Sequence, residues 1–359
     1  MEKIQTYHDQ VTIEQTQKLR EVLKTLPPFT RDYFRAMEPT TSARTRISYA
    51  YDIRVFFHFL LSENPAFKDK TMDDFTVDVL DQLQAVDIEE FQEYLKVYDS
   101  AEDNRLQTNG ERGLKRKMSA LRSFYNYYYK REMIKTNPVL LVDMPKLHDK
   151  AIIRLDPDET AELLDYIEHA GDSLTGQKKA YYEKTRLRDL AIVTLLLGTG
   201  IRVSECVGLD VEDVDFKNDA IRVVRKGGSE MMIYFGDEVE QALLNYLEDR
   251  AAITPVAGHE HALFYSTQRK RIGIQAVENM VKKYAREITT TKKITPHKLR
   301  STYGTTLYQE TGDIYLVADV LGHKDVNTTK KHYAAMDDAR RRQAATAVRL
   351  RESIPESKE

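Results

Sequence analysis

At 359 residues, 41% of them hydrophobic, the chain can bury a real core in each of two domains. Its formal net charge of −3 gives no sign of a uniformly basic nucleic-acid binder, and its single cysteine, Cys206, excludes a disulfide framework and a multi-cysteine zinc site. The longest apolar stretch, Leu190 to Leu197, is too short to span a bilayer, and Met1 to Arg20 lacks the apolar segment of a signal peptide, so a cytoplasmic protein is expected.

The first predicted helix runs to about Leu26, with Ile13, Leu19, Val22 and Leu23 on one stripe, and stops at Pro27-Pro28. After a turn at Glu38 to Ser42, with Thr41 or Ser42 as N-cap, a second helix repeats Ile47, Tyr51, Val55, Phe56, Phe59 and Leu60. A third is expected from about Asp87 to Val97 and a fourth from about Gly113 to Arg131. The fourth buries Leu114, Met118, Leu121, Tyr125 and Tyr128 and points Lys115, Arg116, Lys117 and Arg122 outward. Composition and periodicity change across the proline-marked stretch Met144 to Pro157, which reads as a domain boundary near Lys150. Beyond it, Ala220–Arg225, Lys226–Ser229 and Met231–Phe235 read as strand, turn and strand, the double glycine easing a tight hairpin. Helices resume at Glu238, Ile274, Leu299 and Asp313. The Arg- and Ala-rich tail after Met336 reads as a short helix that docks on something else.

Charge is segregated along this order. Lys270 to Arg300 carries nine basic residues against two acidic ones, and Glu111 to Lys135 eight against two, while Asp73 to Asp103 and Asp156 to Glu168 are acidic. Such segregation fits one face turned to phosphates.

The residues suited to chemistry lie in the last half. Arg202 follows Gly198-Thr-Gly200, His297 and Arg300 share one short run, His323 ends Leu-Gly-His, and Tyr333 ends Lys-Lys-His-Tyr. Cutting a phosphodiester without a metal requires neutralising the non-bridging oxygens, aligning a nucleophile and protonating the leaving 5′ oxygen. Arg202 and Arg300 offer permanently charged forks, His297 and His323 can donate to the phosphate or move a proton, and Tyr333 can store the bond energy as a phosphotyrosine. Lys226, on the hairpin turn, can reach a groove and protonate the departing oxygen. Other features have plainer readings. Tyr303, Tyr308 and Tyr315 suit core or interface, the run Tyr125 to Tyr129 is half core and half surface, and Cys206 is a small buried hydrophobe. Gly198-Thr-Gly200 is a helix stop, since no Gly-Lys-Ser/Thr follows, and the histidines lack the His-Glu-x-x-His spacing of a zinc site.

Taken jointly, Gly200-Ile-Arg202-Val-Ser-Glu205, Arg225-Lys226-Gly-Gly, Thr295-Pro-His297-Lys-Leu-Arg300, Leu321-Gly-His323 and His332-Tyr333 resemble the motifs of the tyrosine recombinase/integrase family. Ser119 to Tyr125 and Asn137-Pro138 through Lys146 resemble the end of its core-binding domain, and the likeness spans about Thr40 to Met336. Within the family the chain looks most like the solitary streptococcal-type Xer recombinases, with their long N-terminal helix, an insert like Glu168 to Lys184, and Arg-Lys-Gly-Gly at the hairpin. Two departures stand out: Ser301 occupies a position where many relatives carry histidine, and Ser229-Glu-Met-Met lacks the basic residues common after the hairpin.

The resemblance implies a mainly α protein. An N-terminal helical extension (1–38) would precede a helical, SAM-like core-binding domain (39–147), then an α-rich catalytic domain with a small antiparallel sheet (148–336) and a C-terminal tail (337–359), clamped as a C around duplex DNA. It implies Arg202, Lys226, His297, Arg300, His323 and Tyr333 as the active residues, with Tyr333 the nucleophile and neither metal nor cofactor needed. It also implies a homotetramer on two recombination sites, with a DNA translocase or accessory protein as a further partner. The basic residues assigned to DNA are Arg44, Arg46, Lys115, Arg116, Lys117, Arg122, Lys282, Lys283, Arg286 and Lys298. The expected function is Xer-like chromosome dimer resolution by a nucleoid-associated cytoplasmic enzyme. A mobile-element integrase or excisionase is the alternative, ahead of a non-catalytic DNA-binding regulator or a type IB topoisomerase.

Overall fold

The computed structural model describes residues 6–100, 105–148, 152–225, 228–323, 325–327 and 329. Lys226, Tyr333 and the tail 337–359 lie outside them. The chain divides into two compact units, Met1–Lys150 and Ala151–Glu359, and both are mainly helical. No helix among the described residues is long and apolar enough to cross a membrane.

In the first unit the helices are α1 (Tyr7–Leu23), α2 (Thr30–Ala36), α3 (Ala43–Ser62), α4 (Val79–Gln82), α5 (Ala85–Tyr94) and α6 (Glu111–Tyr129). Ser42 caps α3, its hydroxyl accepting from the Thr45 amide. Ile47, Phe56, Phe59 and Leu60 of α3 face Met118, Leu121, Tyr125 and Tyr128 of α6 in one aromatic core. Phe124 meets Tyr33 and Tyr128 edge to face at 5.2 and 5.1 Å, and both phenols find partners, Tyr33 on Ser123 and Tyr128 on the Phe29 carbonyl. The tyrosine run divides as its spacing predicts, with Tyr125 and Tyr128 buried and Tyr129 exposed.

Expectations for Ile13, Lys117 and Arg122 are corrected here, and one hairpin is added to them. Ile13 lies outside the α1 stripe and is exposed. A hairpin of β1 (Val97–Asp99) and β2 (Leu106–Thr108) follows α5, pairing Val97 with Thr108. Lys117 turns inward: its side chain is 9% exposed and reaches Asp52, itself buried, at 3.2 Å, with Arg116 on the other Asp52 oxygen. Burial raises the Asp52 carboxyl against the pull of these two cations. Arg122 is likewise committed within the fold, donating to the Val139 and Val142 carbonyls.

The second unit contains α7 (Pro157–His169), α8 (Gly176–Thr199), α9 (Val203–Gly208), β3 (Val214–Asp215), β4 (Ala220–Val224), β5 (Glu230–Tyr234), α10 (Asp237–Ala251), α11 (Ile274–Ile288), α12 (Pro296–Thr311) and α13 (Ile314–Val320). Helix α8 is central. Ala191, Ile192, Val193, Leu195 and Leu196 are fully buried, and α7, α10 and α12 pack around it. The three strands form an antiparallel sheet in the order β3-β4-β5, with Ala220 opposite Tyr234 and Val224 opposite Glu230. Most of the stretch from Glu168 to Lys184 is a 3-10 turn followed by the first turns of α8.

Candidate active site

Helix α8 ends at Gly200, whose φ of +63° is left-handed. A Cβ there would stand 2.3 Å from the Tyr303 ring and 3.0 Å from Leu321, so glycine is needed for conformation and for packing alike. The turn delivers Arg202 as the residue before α9. Glu205, in the first turn of α9 and buried, accepts from the Arg202 backbone amide at 2.8 Å and from its Nη1 at 2.7 Å. One carboxylate thus caps the helix and orients the guanidinium. Arg202 Nη2 donates to the Gly322 carbonyl at 3.2 Å, and its side chain is 35% exposed, so an edge stays open to solvent.

Arg300 lies in the second turn of α12, where Pro296 occupies the first helical position. It is 5% exposed and donates to the Gly200 carbonyl at 2.5 Å and to the Leu321 carbonyl. His297 sits three residues earlier on the same helical face and is exposed.

Leu321-Gly322-His323 closes α13. The Gly322 amide donates to the Asp319 carbonyl, the His323 amide to the Ala318 carbonyl, and Gly322 has a φ of +59°. These two reverse bonds make a Schellman motif. They use the Ala318 and Asp319 carbonyls and leave those of Val320, Leu321 and Gly322 without intrahelical donors, at the negative end of the helix dipole. Arginines take all three. His323 stands just past this ridge, its Nδ1 2.7 Å from the hydroxyl of fully buried Thr329, a contact that sets the ring's orientation.

Arg202, Arg300 and His323 are therefore brought together on one carbonyl ridge, and His297 shares a helix face with Arg300. Tyr333 comes four residues after Thr329 in sequence. Two residues that the motifs contained, but that were not singled out, join the group. Glu205 is one. The other is Arg225, at the end of β4, which donates to the Leu321 and Val320 carbonyls at 3.0 and 2.7 Å. Burial lowers the Arg225 guanidinium from its ordinary range, Glu205 opposing the shift and Arg202 adding to it. Burial also pushes the Cys206 thiol up to about 12, as a small buried hydrophobe requires, and raises the Tyr303 phenol, which suits a packing role.

The other basic candidates divide. Arg44, Lys283 and Arg286 are exposed, and Lys115, Lys282 and Lys298 are half-buried. Arg46 is nearly enclosed beside Glu38.

Guanidinium forks able to grip a phosphate stand beside an oriented imidazole, on an α-rich unit with a three-stranded sheet that has the integrase fold. The Phage integrase family matches residues 154–340. Tyrosine recombinase XerC of Caldanaerobacter subterraneus subsp. tengcongensis is 32% identical over 338 residues, covering 90% of this chain and 87% of that protein. Tyrosine recombinase XerS of Streptococcus uberis is 30% identical over 346 residues, covering 90% and 96%. The fold is shared with XerH recombinase bound to its palindromic difH substrate (TM-score 0.65, 19% identity, 95% of this chain and 90% of that one). It is shared as well with a lambda integrase dimer bound to a COC′ core site (TM-score 0.58, 17% identity, 85% and 94%). The chain belongs to the phage integrase family of tyrosine recombinases and is a site-specific recombinase.

Proposed function

We propose that the protein cuts and rejoins duplex DNA at a recombination site through a 3′-phosphotyrosine on Tyr333. The observation that carries this reading is the meeting of Arg202, Arg300 and His323 on the 321–322 turn, with Tyr333 ten residues after His323 in sequence. The two forks hold the non-bridging oxygens and take up the charge that builds as phosphorus becomes five-coordinate. The Tyr333 oxygen bonds to phosphorus, its proton passing to His297 or His323, and the bond to the 5′ oxygen breaks as Lys226 supplies that oxygen with a proton. The 5′-hydroxyl of the partner strand then attacks the phosphotyrosine and regenerates the phenol. No bond energy is lost, so no nucleotide is consumed.

Arg44, Lys115, Lys282, Lys283, Arg286 and Lys298 are assigned to DNA phosphates, and Arg116, paired with Asp52, is left out of that set. Four protomers acting on two sites is the proposed assembly, and the mass of the complex formed with two sites tests it. The near-complete coverage of XerC and XerS supports an Xer-like role in chromosome dimer resolution. A palindromic target beside the gene on the chromosome accords with that role, whereas a target at the ends of a mobile element overturns it.

Tyr333→Phe is the decisive variant. It should bind DNA like the native chain and give no covalent adduct on a nicked suicide substrate. Adduct formation by this variant removes Tyr333 from the mechanism.

A further inference from the structure

Arg225 has no role in the chemistry above, and its surroundings ask for one. Its side chain is 8% exposed, so it cannot lie along a DNA backbone. Its fork grips two consecutive carbonyls, Val320 by Nη2 and Leu321 by Nη1. The Leu321 carbonyl also accepts from Arg300, which fills both of its lone pairs with guanidinium donors. Arg225 Nη1 lies 3.8 Å from one oxygen of Glu205, whose other oxygen holds Arg202. Each arginine of the phosphate clamp is therefore tied to Arg225 through one shared acceptor.

Two further facts set this apart from ordinary packing. A Cβ on Gly322 would stand 2.7 Å from Arg225 Nη1 and 2.9 Å from its Cζ, so the Leu-Gly-His turn lies flat on this guanidinium. Among the described residues, Arg225 Nε is buried without a hydrogen-bond partner. A buried cation with an unpaired donor weakens a fold relative to an aliphatic side chain of the same size. Stability alone does not explain an arginine here.

We propose that Arg225 is a positioning residue of the phosphate clamp, holding the 320–322 carbonyl ridge and Glu205 from behind so that Arg202 and Arg300 aim at the scissile phosphate. The proposal rests on the phosphotyrosine reading. A fork that grips two neighbouring carbonyls fixes their spacing and plane, and clamp geometry matters most where transition-state charge is met by preorganised donors. This also assigns work to the side chain directly before Lys226, in a chain whose next strand lacks basic residues.

The test separates binding from chemistry. Wild type, Arg225→Met and Arg225→Lys are compared for affinity towards the full recombination site and for the single-turnover rate of covalent adduct formation on a suicide substrate. Arg225→Met should bind DNA within about threefold of wild type yet form adduct on the order of a hundredfold more slowly. Arg225→Lys, with the charge but not the fork, should recover part of the loss and remain roughly tenfold slow. Adduct formation by Arg225→Met within threefold of wild type overturns the proposal, as does a loss of affinity that matches the loss of rate. If Arg225→Met does not melt cooperatively, Arg225→Lys decides: unchanged affinity with a slowed rate supports the role, and a wild-type rate ends it. Absence of adduct from the wild-type protein itself would instead count against the phosphotyrosine reading.

Discussion

Arg202 meets three demands with one planar group: Glu205 on one edge, the Gly322 carbonyl on another, and an edge left open to solvent where a phosphate can sit. Lysine cannot reproduce this, because an ammonium is a point charge without a fork. Arg202→Lys should keep DNA binding and slow adduct formation by at least roughly a hundredfold, the scale of losing a preorganised transition-state donor. Near-native cleavage by this variant argues against the clamp. Arg202, Arg300 and His323 were legible in the sequence because each rides on a local device: a left-handed glycine, a proline at a helix start, a Leu-Gly-His helix stop. Arg225 was not, because its acceptors lie 95 and 96 positions along the chain and only folding brings them near. Glu205 stood in the same motif three positions after Arg202, but its hold on the guanidinium is a matter of rotamer and burial.

Helix α6 shows where periodicity succeeds and where it fails. Met118, Leu121, Tyr125 and Tyr128 repeat at helical spacing and are all buried. Lys117 falls within the same arc, since residues 117 and 121 are four apart on one helix, yet a count of apolar residues passes over it. Its partner Asp52 belongs to α3 and is equally hidden. The two basic neighbours on α6 should therefore respond differently to truncation. Lys117→Ala leaves the buried Asp52 carboxylate with Arg116 alone and should cost about 3 kcal/mol of stability, seen as an earlier thermal or denaturant midpoint. Lys115→Ala should melt like the native chain and bind DNA more weakly, with the salt slope reduced by about one. A native melt for Lys117→Ala contradicts its inward placement. The β1–β2 hairpin escaped notice for another reason. Its strands are three residues each, Val97 and Leu106 are exposed, and no alternating buried face marks it.

At the scale of the molecule, a net charge of −3 and a DNA-directed function look opposed until charge is placed. Helix α11 turns Val277, Met280, Val281, Tyr284 and Ala285 inward and leaves Lys283 and Arg286 exposed, with Lys282 half-buried beside Glu278. The run Asp73 to Asp103 concentrates acidic residues in the other unit and offsets the basic runs in the total. Counterion release depends on that local face, because each phosphate paired with a cation frees condensed salt whatever the protein's overall charge. Six basic side chains are assigned to phosphates in each protomer, so log K should fall against log salt with a slope of about −5 per bound protomer. Over a fourfold rise in salt that is roughly a thousandfold loss of affinity. Titrating binding at several salt concentrations reads the slope directly, and Tyr333→Phe allows it to be measured without cleavage. A slope near zero would mean that net charge governs association and that these six side chains are ordinary solvated surface. A steep slope for the native chain with no adduct under any condition would make the protein a binding regulator that carries the clamp without using it.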